Sequence, residues 1–151
     1  MSQITDIRFF LQLSDFIATA GQPTEAEFAA VRAAGYEVVV NLALPSSINA
    51  LPSEQEIVQS YSMEYMHIPV VWEQPNLEDL EQFFAIMQSN ADRRVFVHCA
   101  MNMRVSVFMY LYRVLREGVD EAAARAELRR IWTPNETWQQ FIEQAIQYYR
   151  S

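Results

Sequence analysis

The chain has 151 residues, of which 51% are hydrophobic and 20% are charged, a composition that excludes a disordered segment and a coiled coil. A formal net charge of −8 argues against nucleic acid or an anionic membrane as a partner, because both attract basic surfaces. With no signal-peptide pattern and no apolar run of about 18 residues, we expect one cytoplasmic domain over residues 1–151.

Strand and helix patterns alternate from the start of the chain. Residues 16–20 predict an edge strand. Thr24 and Glu27 have the spacing of a capping box, and the helix that they begin is predicted to end at Gly35. Residues 37–42 form a β-branched run, which is typical of a strand buried on both faces.

The same alternation continues to residue 98. A helix capped by Ser53 and Glu56 is predicted to end near Tyr61, and a strand over 65–70, which stops at a proline, follows it. The next helix runs from Asn76 and Asp79 to about Ser89, and a strand over 94–98 comes after it. Short apolar segments between capped helices favour parallel strands joined by helical crossovers.

Three further helices are predicted in the last third of the chain. Residues 104–117 are apolar nearly all the way round, which indicates a helix buried on most sides. A second helix covers 120–132, and Thr133 and Pro134 are expected to start a third over 137–150. The whole pattern predicts an α/β fold with a mainly parallel sheet flanked by helices, whose ligands bind at the carboxyl ends of the strands.

Features that favour anions coincide where the 94–98 strand ends. Cys99 follows the strand and Arg104 begins the buried helix. The residues between them are Ala100, Met101, Asn102 and Met103. Loop N–H groups, a helix N-terminus and a guanidinium all attract an oxyanion, and the same field favours a thiolate. The loop is therefore predicted to combine a nucleophile with an oxyanion site.

This loop resembles the signature of the Cys-based phosphatases of the protein tyrosine and dual-specificity kind, which is His-Cys, five residues, Arg, then Ser or Thr. The chain is similar, more closely, to the bacterial phosphatase-like family DUF442, at residues 18–24, 35–42, 65–70 and the Cys99 loop. The resemblance implies that Cys99 attacks the phosphorus of a phosphomonoester, on a small molecule or a phosphoprotein, to form a cysteinyl-phosphate. Arg104 would hold the equatorial oxygens, and no cofactor or metal is implied.

The loop departs from the phosphatase signature at several positions. Only four residues separate Cys99 from Arg104, and rhodanese-type sulfurtransferases have that shorter spacing. Asn102 occupies the place of a glycine, and asparagine is a side chain that tolerates left-handed backbone. Val105 stands where a hydroxyl residue is usual, so Ser106, one place later, is the candidate for assisting departure of the thiolate.

Two neighbours of the loop have expected roles. A phosphatase needs an acid for the leaving oxygen, and Glu73 is the candidate; the alternative is a solvated charge beside Trp72, with Trp72 simply covering the site. His98 is expected to orient the loop rather than to bind a metal, because His67 is the only other histidine and the spacing fits no metal motif.

Two other functions stay open at this point. The short loop favours a sulfurtransferase or a persulfide-handling protein that uses the same Cys99, and a Glu73 without an acid role would favour a non-catalytic oxyanion-binding module. Nucleotide loops are excluded more firmly. All eleven basic residues are arginine and only three residues are glycine, so the chain has neither a GxxxxGK loop nor a Gly-rich dinucleotide site.

Overall fold

A computed structural model describes residues 3–150 as a five-stranded sheet with helices on both faces. The strands are β1 (Leu11–Gln12), β2 (Ile17–Ala20), β3 (Val38–Asn41), β4 (Glu64–His67) and β5 (Val95–His98), and their order in the sheet is β1-β2-β5-β3-β4. β1 is antiparallel to β2, and the other neighbouring pairs are parallel. The predicted α/β class with a mainly parallel sheet is confirmed.

Six α-helices follow a short 3-10 turn at Ile4–Asp6. They are α1 (Glu25–Ala33), α2 (Glu54–Ser60), α3 (Leu77–Ser89), α4 (Met103–Leu115), α5 (Glu121–Arg129) and α6 (Glu136–Arg150). As predicted, α4 is buried on nearly all sides. None of the helices in the described part of the chain combines the length and the apolarity that crossing a bilayer requires.

The sheet separates two apolar layers, and the strand sequences account for both. Consecutive strand residues point to opposite faces, so the β-branched run of β3 serves both layers. Val38 and Val40 face the larger layer, with α3 to α6, whereas Val39 faces the smaller one, with α1 and α2. A strand buried on both faces must therefore be apolar at every position, which explains the unbroken run in the sequence.

The structure contains two of the predicted helix N-caps, and the predictions of two others are wrong. The capping box of Thr24 and Glu27 starts α1, and the side chain of Asn76 accepts a hydrogen bond from the backbone of Asp79 at the start of α3. Ser53 makes no side-chain cap at α2. Likewise, α6 begins at Glu136 and not after a Thr133 cap; the side chain of Asn135 accepts from the backbone N–H of Trp138 at 3.0 Å.

Strand positions differ from the sequence prediction at two places. β2 is not an edge strand, because the two-residue β1, which the sequence pattern did not reveal, pairs outside it. β4 ends at His67 and not at 70, although the N–H groups of Ile68 and Val70 still donate to Asn41 O and Leu42 O, at the end of β3 and just after it. Pro69, between these two donors, is at a position whose N–H would point away from β3, which an edge strand tolerates. The ladder becomes irregular because Asn41 and Leu42 are consecutive acceptors, whereas a regular parallel ladder uses every second residue.

Candidate active site

Cys99 lies where the three central strands end together. His98 is in register with Ala20 on one side and with Asn41 on the other, so Cys99 is the first residue beyond the carboxyl edge of the sheet. Its side chain is 1% exposed, and its backbone N–H donates to Ala20 O at 3.4 Å. The structure thus places Cys99 at the edge where parallel sheets bind their ligands.

Asn102 turns the chain from the loop into α4 with left-handed backbone, as the sequence predicts. It has φ 63° and ψ 2°. Its Nδ2 donates to Phe9 O at 2.8 Å and to Thr19 Oγ1 at 3.0 Å, while its buried Oδ1 has no hydrogen-bond partner among residues 3–150. The asparagine therefore replaces the conformational freedom of a glycine and ties the turn to β2.

Gly21 allows the loop to approach the chain beyond β2. Gly21 and Met101 form an antiparallel bridge, and a Cβ on Gly21 would lie 2.7 Å from the carbonyl oxygen of Ala100. Since real Cβ atoms do not come that close to a backbone oxygen, a side chain at this position would push the loop away. The glycine is needed for this close packing.

Arg104 is buried in the first turn of α4, and its guanidinium has only weak neutral partners. Its Nη1 lies 3.5 Å from Val70 O and its Nη2 lies 3.5 Å from Ser47 Oγ, both at the outer limit of a hydrogen bond. The buried Nε has no partner within residues 3–150. Arg104 is 7% exposed and no carboxylate lines the cavity beside it, so an oxyanion would supply the charged partner that the described residues do not.

Cys99 and Arg104 line the same cavity, of about 250 Å³. Its lining residues are Ser47, Ile48, Trp72, Cys99, Ala100, Met101, Met103 and Arg104. No carboxylate is among them, so Arg104 and the N-terminus of α4 set a positive potential there. The described residues also include no cluster of three or more His, Cys, Asp or Glu side chains that could hold a metal ion.

Four of the predicted site residues, His98, Asn102, Ser106 and Glu73, do not line this cavity. The Ser106 hydroxyl donates to Met103 O at 2.7 Å and accepts from Trp132 Nε1 at 2.9 Å, so both of its hydrogen bonds lead away from Cys99. Glu73 is exposed on the turn that follows Trp72. Their proposed roles, as an aid to the thiolate and as the acid, stay predictions.

Three tryptophans fix one wall of the cavity. The Trp72 ring centroid lies 5.3 Å from that of Trp132 and 5.6 Å from that of Trp138, whose Nε1 donates to Trp72 O at 3.0 Å. The guanidinium carbon of Arg104 lies 5.9 Å from the centre of the Trp72 ring. Trp132 and Trp138 thus support the wall beside Arg104.

Glu54 is the residue that sequence reasoning missed. It is 4% exposed at the start of α2, and its Oε2 lies 2.7 Å from Nε2 of the buried His98. Burial raises the pKa of Glu54, but the charge of His98 and hydrogen bonds from His98 and Gln22 outweigh it and bring the pKa below 4.5. A glutamate in a first helical turn is usually solvated, so nothing in the pattern signalled this contact.

The chain was compared with known families and solved structures. The family described as DSP-PTPase phosphatase fused to NAD+ kinase matches residues 12–145. A proposed DUF442 phosphatase from Shewanella putrefaciens CN-32 is 33% identical, with a TM-score of 0.87 over 97% of this chain and 96% of that one. Curated proteins gave no significant match.

More distant solved structures share the fold. The catalytic domain of SIW14 from S. cerevisiae, a PP-IP phosphatase, is 16% identical with a TM-score of 0.75, over 91% of this chain and 85% of that one. P. aeruginosa TpbA in complex with pTyr is 14% identical with a TM-score of 0.68, over 100% and 87%. These two structures share the fold, and it is the family match over residues 12–145 that supports a Cys-dependent phosphatase and not a sulfurtransferase or a non-catalytic module.

Proposed function

The chain belongs to the DSP-PTPase phosphatase family, and on that premise we propose that it hydrolyses phosphomonoesters whose ester group is apolar or aromatic. The observation that carries the proposal is a single cavity that holds a cysteine, a buried arginine without a counterion, and an apolar rim. The relatives named above include one solved with phosphotyrosine, an aryl phosphate of this kind.

The proposed reaction assigns one step to each side chain. The Cys99 thiolate attacks phosphorus, a sulfur–phosphorus bond forms, and the bond to the ester oxygen breaks. Arg104 and the loop N–H groups stabilise the charge on the equatorial oxygens, where donors placed in advance are most effective. Glu73 gives its proton to the leaving oxygen, and water then hydrolyses the cysteinyl-phosphate to release phosphate.

The rim of the cavity supports an apolar ester group. Ile48 and Met101 line the cavity and are 68% and 40% exposed, and Val71, beside Trp72, is 41% exposed. Large apolar side chains gathered around one opening cost free energy in water, and an aromatic ring that covers them regains it. No acidic or basic side chain other than Arg104 lines the cavity, so nothing there selects a second charge on the substrate.

The proposal is tested by comparing leaving groups on the purified protein. We expect kcat/KM for p-nitrophenyl phosphate and a phosphotyrosine peptide to exceed that for glycerol phosphate and a phosphoserine peptide. Replacing Ile48 or Met101 by Ser should lower kcat/KM on the aryl substrates by about tenfold, since each loses roughly 1.4 kcal/mol of apolar contact.

Phe16→Ser is the matched control. Phe16 is 49% exposed, but it lies beside the amino end of β2, away from the cavity, so its loss should leave kcat/KM unchanged. Equal rates on aryl and alkyl phosphates would contradict the apolar specificity. Turnover of thiosulfate and cyanide without any phosphate release would contradict the phosphatase assignment itself.

A further inference from the structure

A buried row of polar side chains lies behind the Cys99 loop, on the side away from the cavity. Gln22, Glu54 and His98 are each less than 5% exposed. Gln22 Nε2 donates to Glu54 Oε1 at 2.7 Å, and Glu54 Oε2 meets His98 Nε2 at 2.7 Å. The three residues come from three separate segments, so only the folded chain brings them together.

The hydrogen bonds of His98 determine where its protons lie. Its Nδ1 is 3.2 Å from Cys99 O, an acceptor only, and its Nε2 faces the Glu54 carboxylate. A carbonyl cannot donate, so Nδ1 carries a proton. The 2.7 Å separation of Nε2 from Glu54 Oε2 requires a second proton, which lies between these two atoms.

Both ends of the row hold carbonyl groups of the loop. His98 holds Cys99 O, and the backbone N–H of Gln22 donates to Ala100 O at 3.0 Å. In a trans peptide the C=O and the following N–H point in opposite directions, and none of the described peptide bonds is cis. The N–H groups of Ala100 and Met101 are thereby directed away from His98 and Gln22, toward the side of the cavity.

We propose that Glu54 is a positioning residue for the phosphatase reaction, which holds His98 and Gln22 so that the loop presents its N–H groups to the phosphoryl oxygens. The inference rests on the proposed function. Glu54 does not line the cavity, so its effect on the loop passes through His98 and Gln22, the partners that hold loop carbonyl groups.

Glu54 is the carboxylate in contact with His98, and the aromatic rings that pack on His98 are uncharged. Phe28 and Phe96 pack against the His98 ring at 5.9 Å and 6.2 Å between centroids, and neither carries a charge. Tyr65 also interacts with Glu54, and burial together with the negative charge of Glu54 raises the pKa of that phenol, so it stays neutral. Arg104, across the loop, is the cation that faces the cavity.

The first experiment removes the charge and keeps the shape. Glu54→Gln should raise the Kd for vanadate about tenfold. It should also lower the rate at which iodoacetamide alkylates Cys99 at low pH, relative to the rate at high pH. Glu56→Gln, which loses the same charge at an exposed position on α2, is the control and should match wild type. Wild-type values in Glu54→Gln would overturn the proposal.

Two further variants separate positioning from folding. In a His98→Gln background, Glu54→Gln should cause a smaller loss of vanadate affinity than in wild type, because only the contact with Gln22 is left to lose; a fully additive loss would overturn the proposal. Gln22→Met keeps the backbone bond to Ala100 and loses only the side-chain bond, so its effect should be smaller than that of Glu54→Gln. An effect as large as that of Glu54→Gln would contradict the proposed order.

These readouts do not depend on turnover. Vanadate binding and alkylation test Glu54 even if the wild-type protein fails to hydrolyse every phosphomonoester offered. Such a failure would overturn the proposed function, and the comparison of Glu54→Gln with Glu56→Gln would still decide the role of Glu54 in shaping the loop.

Discussion

The two sides of the Cys99 loop differ in how their buried polar groups are satisfied. Behind the loop, Glu54 forms contacts of 2.7 Å with both His98 and Gln22. On the cavity side, Arg104 reaches neutral oxygens only at 3.5 Å, and its Nε has no partner among residues 3–150. A buried donor left without a partner costs about 1–3 kcal/mol, which a bound oxyanion can offset.

This difference suits a loop that must keep a fixed shape and also bind an oxyanion. Donors arranged in advance stabilise a transition state without reorganising during the reaction, and something else must hold them in place. On the two proposals made above, the satisfied side behind the loop holds the donors in place, and the unsatisfied side binds the oxyanion. Variants on the two sides should therefore change different measured quantities, as the following predictions specify.

Cys99→Ser removes the nucleophile from the cavity side and should have the largest effect. Turnover of p-nitrophenyl phosphate should fall by about 10⁴-fold or more, because a serine hydroxyl is not ionised as a thiol can be. Phosphate binding, measured by calorimetry, should change little since the donors remain. Residual turnover close to the wild-type rate would mean that another group attacks phosphorus.

Glu73→Gln should have the next largest effect, and one that depends on the substrate. Loss of a general acid typically costs about 10²–10⁴-fold, and the cost should shrink for p-nitrophenyl phosphate, whose leaving group needs little protonation. Glu78→Gln, an exposed charge in the first turn of α3, serves as the control. An equal loss on good and poor leaving groups would show that Glu73 is structural.

Arg104→Lys tests how the cavity side recognises oxygens. Lysine keeps the charge but lacks the planar pair of donors, so the affinity for sulfate or vanadate should fall by about tenfold, or roughly 1.4 kcal/mol. Titration of each anion against both proteins measures the change. Unchanged affinity would place the guanidinium outside the oxyanion site.

The smallest expected effect comes from the side behind the loop and depends on pH. The pKa of Glu54 in the folded chain is lower than its ordinary value of 4.5, so its stabilisation is fully present above that pH and is lost as the pH falls through the lowered value. The free energy of unfolding, measured in urea from about pH 6 to about pH 3, should decline more steeply in wild type than in Glu54→Gln. Parallel curves would contradict an ionised Glu54.

The α/β class and most of the elements could be predicted because their signals are local. The Thr24 and Glu27 capping box, the β-branched run of β3 and the apolar helix α4 each act within a few residues, and the structure contains all three. β1 could not be predicted, because two residues make no pattern and its pairing with β2 depends on the chain folding back.

By itself, the sequence determined the loop that carries the site: Cys99 after a buried strand, Arg104 at the start of a buried helix, and the left-handed turn at Asn102. Only the tertiary structure decided what stands behind and beside that loop. Glu54 meets His98 across 44 positions of the chain. A glutamate in a first helical turn is solvated or buried according to what packs against it, and that depends on contacts that no local pattern encodes.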